Sequence, residues 1–228
     1  MILSLTQQEL KKYIELQISN YFPDKYRFQG SDIDKAFTMA LERVEYCFKH
    51  ISLPAYTDSK NTFFSHVHSD QYCQFLYFLS NSLREISENK PICDKIILLN
   101  KTLNGMFFSY KAGLPDIFLL IHPIGTVIGN AKYSDFLVVL QNVTINTAHD
   151  DHGSVAPSIG KGVFLAAGAK IIGNKPVGDR VSIGVNTLVY NKEILSDSVV
   201  MCDDTGKICI NNRKKVCRAQ AYFNVAIE

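Results

Sequence analysis

Aliphatic residues recur at every sixth position between Ile159 and Val189: Ile159, Leu165, Ile171, Val177, Ile183 and Val189. Small residues directly follow several of them (Gly160, Ala166, Gly178, Gly184). A second aliphatic or small residue stands four places on, at Val163, Ala169, Val181 and Thr187. A period of six matches neither the 3.6 of an α-helix nor the 2 of an ordinary strand. It predicts a triangular parallel β-helix, with one six-residue unit per face and three units per coil. The aliphatic residue points inward and the small residue lets the chain turn at the corner. An earlier coil is visible in Ile128, Tyr133, Val139 and Ile145, with one unit a residue short. Ile145 and Ile159 are fourteen residues apart, two more than two hexads, so the spacing predicts a loop that bulges from the prism. That loop carries His149, Asp150, Asp151 and His152, and loops on a rigid scaffold are where chemistry tends to sit.

The preceding part of the chain has helical periodicity. Thr6 with Glu9 matches a capping box, and Leu10, Tyr13, Ile14, Ile18 and Tyr21 then form one face before Pro23 ends the helix. Ser31 or Asp32 is expected to cap a second helix with Ala36, Phe37, Ala40, Leu41, Val44 and Phe48 inward. A third runs from about Asp70 to Ile86, and Pro91 suits the first turn of a fourth. Pro54 to Ser65 reads as a polar connector, and helical periodicity stops near Gly113-Leu114-Pro115. The expected class is therefore α+β: an α-helical domain over residues 1–112, a β-helix over 113–200 and a C-terminal tail over 201–228. In the tail, Arg213-Lys214-Lys215 reads as a solvated charge run, with a role near the phosphates of a ligand as the lesser reading.

Composition narrows the function. The net charge of +2 and the lack of an arginine-rich run argue against nucleic acid or an anionic membrane as partner. The N-terminus has no leader pattern, and the apolar runs fall short of the ~20 residues of a membrane span. A cytoplasmic setting is expected. The six cysteines contain no C-x-x-C pair, so no structural zinc site is expected, and they read as reduced thiols.

Three histidines lie in the β region: His122, His149 and His152. A neutral imidazole is suited to removing the proton of an attacking hydroxyl, and the resulting oxyanion needs a donor such as a backbone N–H. The segment Ile121-His122-Pro123-Ile124-Gly125-Thr126-Val127-Ile128-Gly129-Asn130-Ala131 resembles the Asp-His-Ala-Thr-Gly-x-Val-hydrophobic-Gly-x-Thr-Ala signature of bacterial serine O-acetyltransferases. Val139-Leu140-Gln141-Asn142-Val143-Thr144 is similar to that family's Ile-Leu-Gln-x-Val-Thr. Ile159 to Val163 and Gly168 to Asn174 continue in register. The resemblance covers about residues 120–190.

The resemblance implies a left-handed parallel β-helix of hexapeptide repeats behind a helical domain, and an acetyl-CoA-dependent acyl transfer without metal. It makes His122 the general base, with Asp116 the nearest upstream acid to steady its tautomer. His149 is a rival base, because related sugar acetyltransferases carry a catalytic histidine in a Thr-x-His-like setting. His149 or His152, with Asp151 and Gln141, would hold a small hydroxylated acceptor. CoA would lie along coils containing Ala167, Gly168, Gly184 and Asn186, at a subunit boundary of a homotrimer or a dimer of trimers. This chain departs from the pattern at three places. Ile121 stands where the family has Asp, and Val155-Ala156-Pro157 where it has Arg-His-Pro. The closing Gly-x-Pro-Ala turn is absent, with Met201-Cys202-Asp203-Asp204 near its place. Serine is thus the first acceptor to consider and a sugar hydroxyl of a surface polysaccharide the second. A non-catalytic trimeric scaffold is the competing class.

Overall fold

The computed structural model describes residues 1–58, 60–87, 89–146, 149–150, 153–154 and 156–228; for 149, 150, 153 and 154 only the backbone is described. The chain divides into two compact units, Met1–Lys49 with Pro54–Lys111, and His50–Leu53 with Ala112–Glu228.

The first unit is built on four helices. Helix α1 (Gln7–Tyr21) starts at a complete capping box: Glu9 N donates to the Thr6 hydroxyl at 3.2 Å, and Thr6 N donates to the Glu9 carboxylate at 2.9 Å. Its Leu10, Ile14 and Ile18 are fully buried, whereas Tyr21 is exposed. Helix α2 (Ser31–Phe48) departs from expectation at its start. The N-cap is Gly30 at φ 118°, without a side-chain cap; Ser31 and Asp32 already lie inside, where Asp32 and Asp34 favour the positive helix end. Helix α3 (Ser69–Ser87) is buried all round over Asp70 to Leu83, including Gln71, Gln74, Ser80 and Ser82, so it is the central helix of the unit. Its Asn81 satisfies both ends of its amide, accepting from Arg43 at 2.7 Å and donating to Tyr110 O at 2.8 Å. Helix α4 (Lys90–Asn104) is capped by Asn89, has Pro91 in its first turn and ends at left-handed Gly105. The stretch after Pro54 is more than a connector: Tyr56 and Phe64 are buried, and the Phe63–Phe64 strand pairs in parallel with Ile2–Leu3.

The second unit consists of three parallel ladders that the chain visits in turn. The first joins Phe118–Leu120, Leu137–Val139, Phe164–Leu165, Ser182–Ile183 and Ser198–Cys202. The second joins Val127–Ile128, Thr144–Ile145, Lys170–Ile172 and Leu188–Tyr190. The third pairs Lys132–Tyr133 with Ser158–Ile159 and continues through Ile159–Val177 and Val177–Ile194 bridges. In the regular part each residue faces its counterpart one coil on, as Leu165 faces Ile183 and Ile171 faces Val189, which is three hexads. All six residues of the hexad lattice are at most 2% exposed, so the period of six is the inward column of each ladder.

Turning a corner in so few residues needs left-handed backbone. Gly125, Asn142, Gly168 and Asn186 form one such column, with φ of 74°, 56°, 71° and 52°. Each later member donates across coils to the residue just before the previous member, Asn142 N to Ile124 O, Gly168 N to Gln141 O and Asn186 N to Ala167 O, each 2.9 Å. Glycine alternates with asparagine for a steric reason. A Cβ at Gly125 would stand 2.2 Å from Asn142 Oδ1, and one at Gly168 would stand 2.1 Å from Asn186 Oδ1.

Two departures from the lattice shape the surface. Phe118 faces Leu137, nineteen residues on, whereas Val127 faces Thr144, seventeen on, so the first coil holds two extra residues in the turn after Leu120. They are His122 and Pro123, since Ile121 matches Leu140 and Ile124 matches Gln141 in the hydrogen-bond register. Lys132 faces Ser158 across twenty-six residues where Ile159 faces Val177 across eighteen. The fourteen residues from Ile145 to Ile159 therefore replace one hexad rather than two, and the excursion is eight residues long, not two. The charged tail is not a free solvated run. Ile208–Asn212 pairs antiparallel with Ser198–Cys202, and the following 3₁₀ turn Arg218–Tyr222 packs back on the ladders. There Tyr222 stacks on Phe164 at 6.0 Å and Phe223 meets Phe136 edge-on at 5.1 Å.

Candidate active site

The two-residue insertion determines how His122 is presented. Pro123 is buried and His122 is exposed, so the turn tucks the proline in and puts the imidazole outside the wall. The turn is closed by Ile124 N donating to His122 O at 2.7 Å and Thr126 N to Pro123 O at 3.1 Å; His122 sits at φ 47°. Thr126, fully buried, ties the turn to the next coil. Its hydroxyl donates to Leu140 O at 2.9 Å and accepts from Val143 N at 3.2 Å. A left-handed non-glycine residue costs of order 1–2 kcal/mol, and these bonds hold it in place.

The other expected residues fall into three groups. Asp116 is exposed in the bend before Phe118–Leu120, at the opposite end of that strand from His122. A three-residue strand is about 10 Å long, so within one chain Asp116 does not lie beside the imidazole, and the expectation that it steadies the tautomer is not met there. Gly168 and Asn186 belong to the corner column, which continues from the His122 turn; Gln141 and Ala167 stand one residue before it and contribute the carbonyls named above. Gly184, two positions before Asn186, donates its N–H to Val200 O at 2.7 Å. The third group is the excursion. The backbone of His149–Asp150 pairs antiparallel with Gly153–Ser154, with Ser154 facing His149. The His149 side chain, Asp151 and His152 lie outside the described residues. The excursion leaves the solenoid one corner later than the His122 turn, a face of four residues or about 13 Å away.

A groove of about 790 Å³ runs from the corner of the His122 turn along the first ladder; the sequence reading had of it only Gly184 and, as a lesser reading, Arg213-Lys214-Lys215. Its floor is Phe164, Ala166, Gly184, Val185 and Met201, and its wall is the segment Asn211–Arg218. That wall is fixed by Arg213, which donates to Asp197 Oδ1 at 2.5 Å and to Lys215 O at 2.9 Å. Asp197 also takes a bidentate pair from Arg180 at 2.8 Å each. The two guanidiniums, Arg180 first, hold the Asp197 carboxyl well below the usual carboxylate range. The clue in the sequence was Arg213-Lys214-Lys215. Among the described residues no group of three His, Cys, Asp or Glu side chains is placed to hold a metal, and no helix is long and apolar enough to cross a membrane.

No family model matches the sequence. The chain is 31% identical over 113 residues to a serine acetyltransferase of Synechococcus elongatus, covering 49% of this chain and 46% of the relative. It is 27% identical over 148 residues to one of Bacillus pumilus, covering 64% and 61%. The chain thus spans about half the length of these curated relatives. Among solved structures it is similar to the Neisseria gonorrhoeae serine acetyltransferase in complex with serine, with TM-score 0.65, 19% identity and coverage of 86% and 82%. The Brucella abortus serine acetyltransferase gives TM-score 0.64, 18% identity and coverage of 90% and 77%. Its α+β fold with parallel ladders is that of the serine acetyltransferases. The chain is serine O-acetyltransferase-like, in sequence over the matched segment and in fold over most of its length.

Proposed function

We propose that the protein is an acetyl-CoA-dependent O-acetyltransferase of the serine acetyltransferase type, acting on serine or a similar small hydroxylated acceptor. The observation that carries this reading is the two-residue bulge that sets His122 outside an otherwise regular wall, in the segment that resembles the family signature. A stacking fold gains nothing from that insertion, and it bears left-handed backbone at a histidine.

In the reaction, the acceptor O–H gives its proton to an imidazole nitrogen of His122 as its oxygen attacks the thioester carbonyl carbon. A backbone N–H stabilises the tetrahedral oxyanion. Collapse breaks the C–S bond, and CoA leaves as thiolate and regains the proton from the imidazolium. The donor lies along the corner of Ala167, Gly168, Gly184 and Asn186, and the acceptor is held by Gln141 and by Asp151, His149 or His152 of the excursion. No metal takes part. His122 and the excursion leave different corners about 13 Å apart, so each site is completed between neighbouring protomers of a homotrimer, single or paired, whose coils wind left-handed. Asp116 stands at the corner from which it can approach an imidazole only across such a boundary. The working location is the cytoplasm.

Ile121, at the place where the family carries Asp, favours a second acceptor class, a sugar hydroxyl. Following thioester loss from acetyl-CoA with serine, homoserine and a panel of sugars decides between them. Turnover with serine alone supports the first acceptor and turnover with sugars alone the second. A protein that binds the donor and acetylates nothing in the panel is a scaffold, and the proposal falls.

A further inference from the structure

Besides Arg213, the groove wall carries three cations. Lys214 and Lys215 are exposed, and neither they nor Arg218 has an ion pair among the described residues. The Arg218 guanidinium stands 5.9 Å from the Phe164 ring centre at the groove floor. Arg213, by contrast, is spent on Asp197 and on Lys215 O, and so serves to fix the backbone from which Lys214 and Lys215 project. The floor between these cations and the corner is mainly apolar. Such a groove fits a ligand with multiply charged phosphate at one end and an apolar arm leading away from it. The ladder register places Leu120, Val139, Leu165 and Ile183 on successive coils, so the groove at Gly184 lies three coils from the His122 turn. At ~4.8 Å per coil that is about 14 Å, a reach that an extended phosphopantetheine arm covers.

We infer that Lys214, Lys215 and Arg218 form the rim that holds the phosphorylated nucleotide of the CoA thioester, and that they select for its 3′-phosphate. This rests on the donor assignment above. The resemblance does not supply it, because the segment stands beyond the last matched coil, where the family's Gly-x-Pro-Ala turn is absent.

The test compares CoA with 3′-dephospho-CoA on the full chain, by calorimetric Kd and, with the acetylated forms, by KM and kcat. The wild type is expected to bind CoA at least tenfold more tightly than the dephospho form. In K214Q/K215Q, and separately in R218Q, that preference collapses to near unity. CoA affinity falls roughly ten- to hundredfold, the change appears in KM rather than kcat, and the salt dependence of binding weakens. Unchanged far-UV circular dichroism shows that the variants are folded. Equal binding of the two nucleotides by the wild type overturns the inference, as does a preference that survives both variants. Equal loss of both nucleotides also overturns it, because the rim would then act without reference to the 3′-phosphate. The two readings fail separately. If CoA binds in a 3′-phosphate-dependent way but no acceptor is acetylated, the rim stands and the activity falls. If transfer proceeds and the variants behave as wild type, only the rim falls. Absence of any CoA binding overturns both.

Discussion

Replacing Gly168 with alanine sets a methyl carbon 2.1 Å from Asn186 Oδ1, 3.2 Å from its Cγ and 3.5 Å from its Cα. Two costs follow. Holding alanine at φ 71° costs of order 1–2 kcal/mol. Driving the Asn186 side chain from its rotamer costs about another 1 kcal/mol. The sum is about 2–3 kcal/mol. In an N186G background only the 3.5 Å approach to Cα remains, which is ordinary van der Waals contact, so the same alanine costs about 1–2 kcal/mol and the pair couples by about 1 kcal/mol. Urea unfolding followed by circular dichroism on the four proteins measures the cycle. If G168A costs the same with and without the Asn186 side chain, the steric account of the alternating column is wrong.

The same column separates fold from function at these positions. Gly125 has an equivalent geometry, with Asn142 Oδ1 at 2.2 Å, but no assigned part in donor binding. G125A and G168A are therefore expected to destabilise alike, by about 2–3 kcal/mol, while G168A alone raises KM for acetyl-CoA. A matching rise in G125A would mean that Gly168 acts only through the turn.

Three further outcomes are expected. H122Q lowers kcat by about 10²–10⁴-fold with unchanged unfolding, and full turnover in this variant would transfer the base to another residue. D197N unfolds more easily at pH 7 by about 1 kcal/mol, a figure reduced for its partly exposed partners. Because the native carboxyl is held below its usual value, this contribution is present above the ordinary carboxylate range and is lost as pH falls below about 4, so urea midpoints of wild type and D197N should converge in acid. Alkylation at pH 8 followed by peptide mass spectrometry should modify exposed Cys202 and half-buried Cys209 first. Burial pushes the Cys93 thiol up to about 11 and the Cys73 thiol further, so early labelling at either would contradict the packing of α3 and α4.

The inward column was legible because hexad geometry is enforced by burial: every lattice residue from Ile159 to Val189 is inside. The length of the excursion was misjudged for the opposite reason. Fourteen residues between Ile145 and Ile159 divide almost evenly into hexads, and only the pairing of Lys132 with Ser158 shows that a single face lies between them. Helix starts showed the same split. Thr6 and Glu9 carry their cap in their side chains. Gly30 caps α2 through backbone conformation alone, which no residue type at 31 or 32 announces. His122 was singled out through its sequence neighbours. The groove was not, because Phe164, Gly184 and Arg213–Arg218 come together only when the antiparallel strand folds the tail back on the ladder.

The separation of the two histidine-bearing turns leads to a last prediction. Within one chain the His122 turn and the base of the excursion occupy different corners, about 13 Å apart. In a cyclic trimer with heterologous interfaces, the corner that follows a face in one protomer meets the corner that precedes it in the next. H122Q lacks the base and a His149→Ala/His152→Ala double variant lacks the excursion imidazoles, and each alone should be nearly inactive. Mixed by co-refolding in equal amounts, half of all chains supply an intact His122 and half an intact excursion. About a quarter of the boundaries then join the two, and about a quarter of wild-type turnover should return. Activity that stays at the sum of the separate variants would mean that both histidines serve one chain's own site, and the shared-boundary arrangement would have to be abandoned.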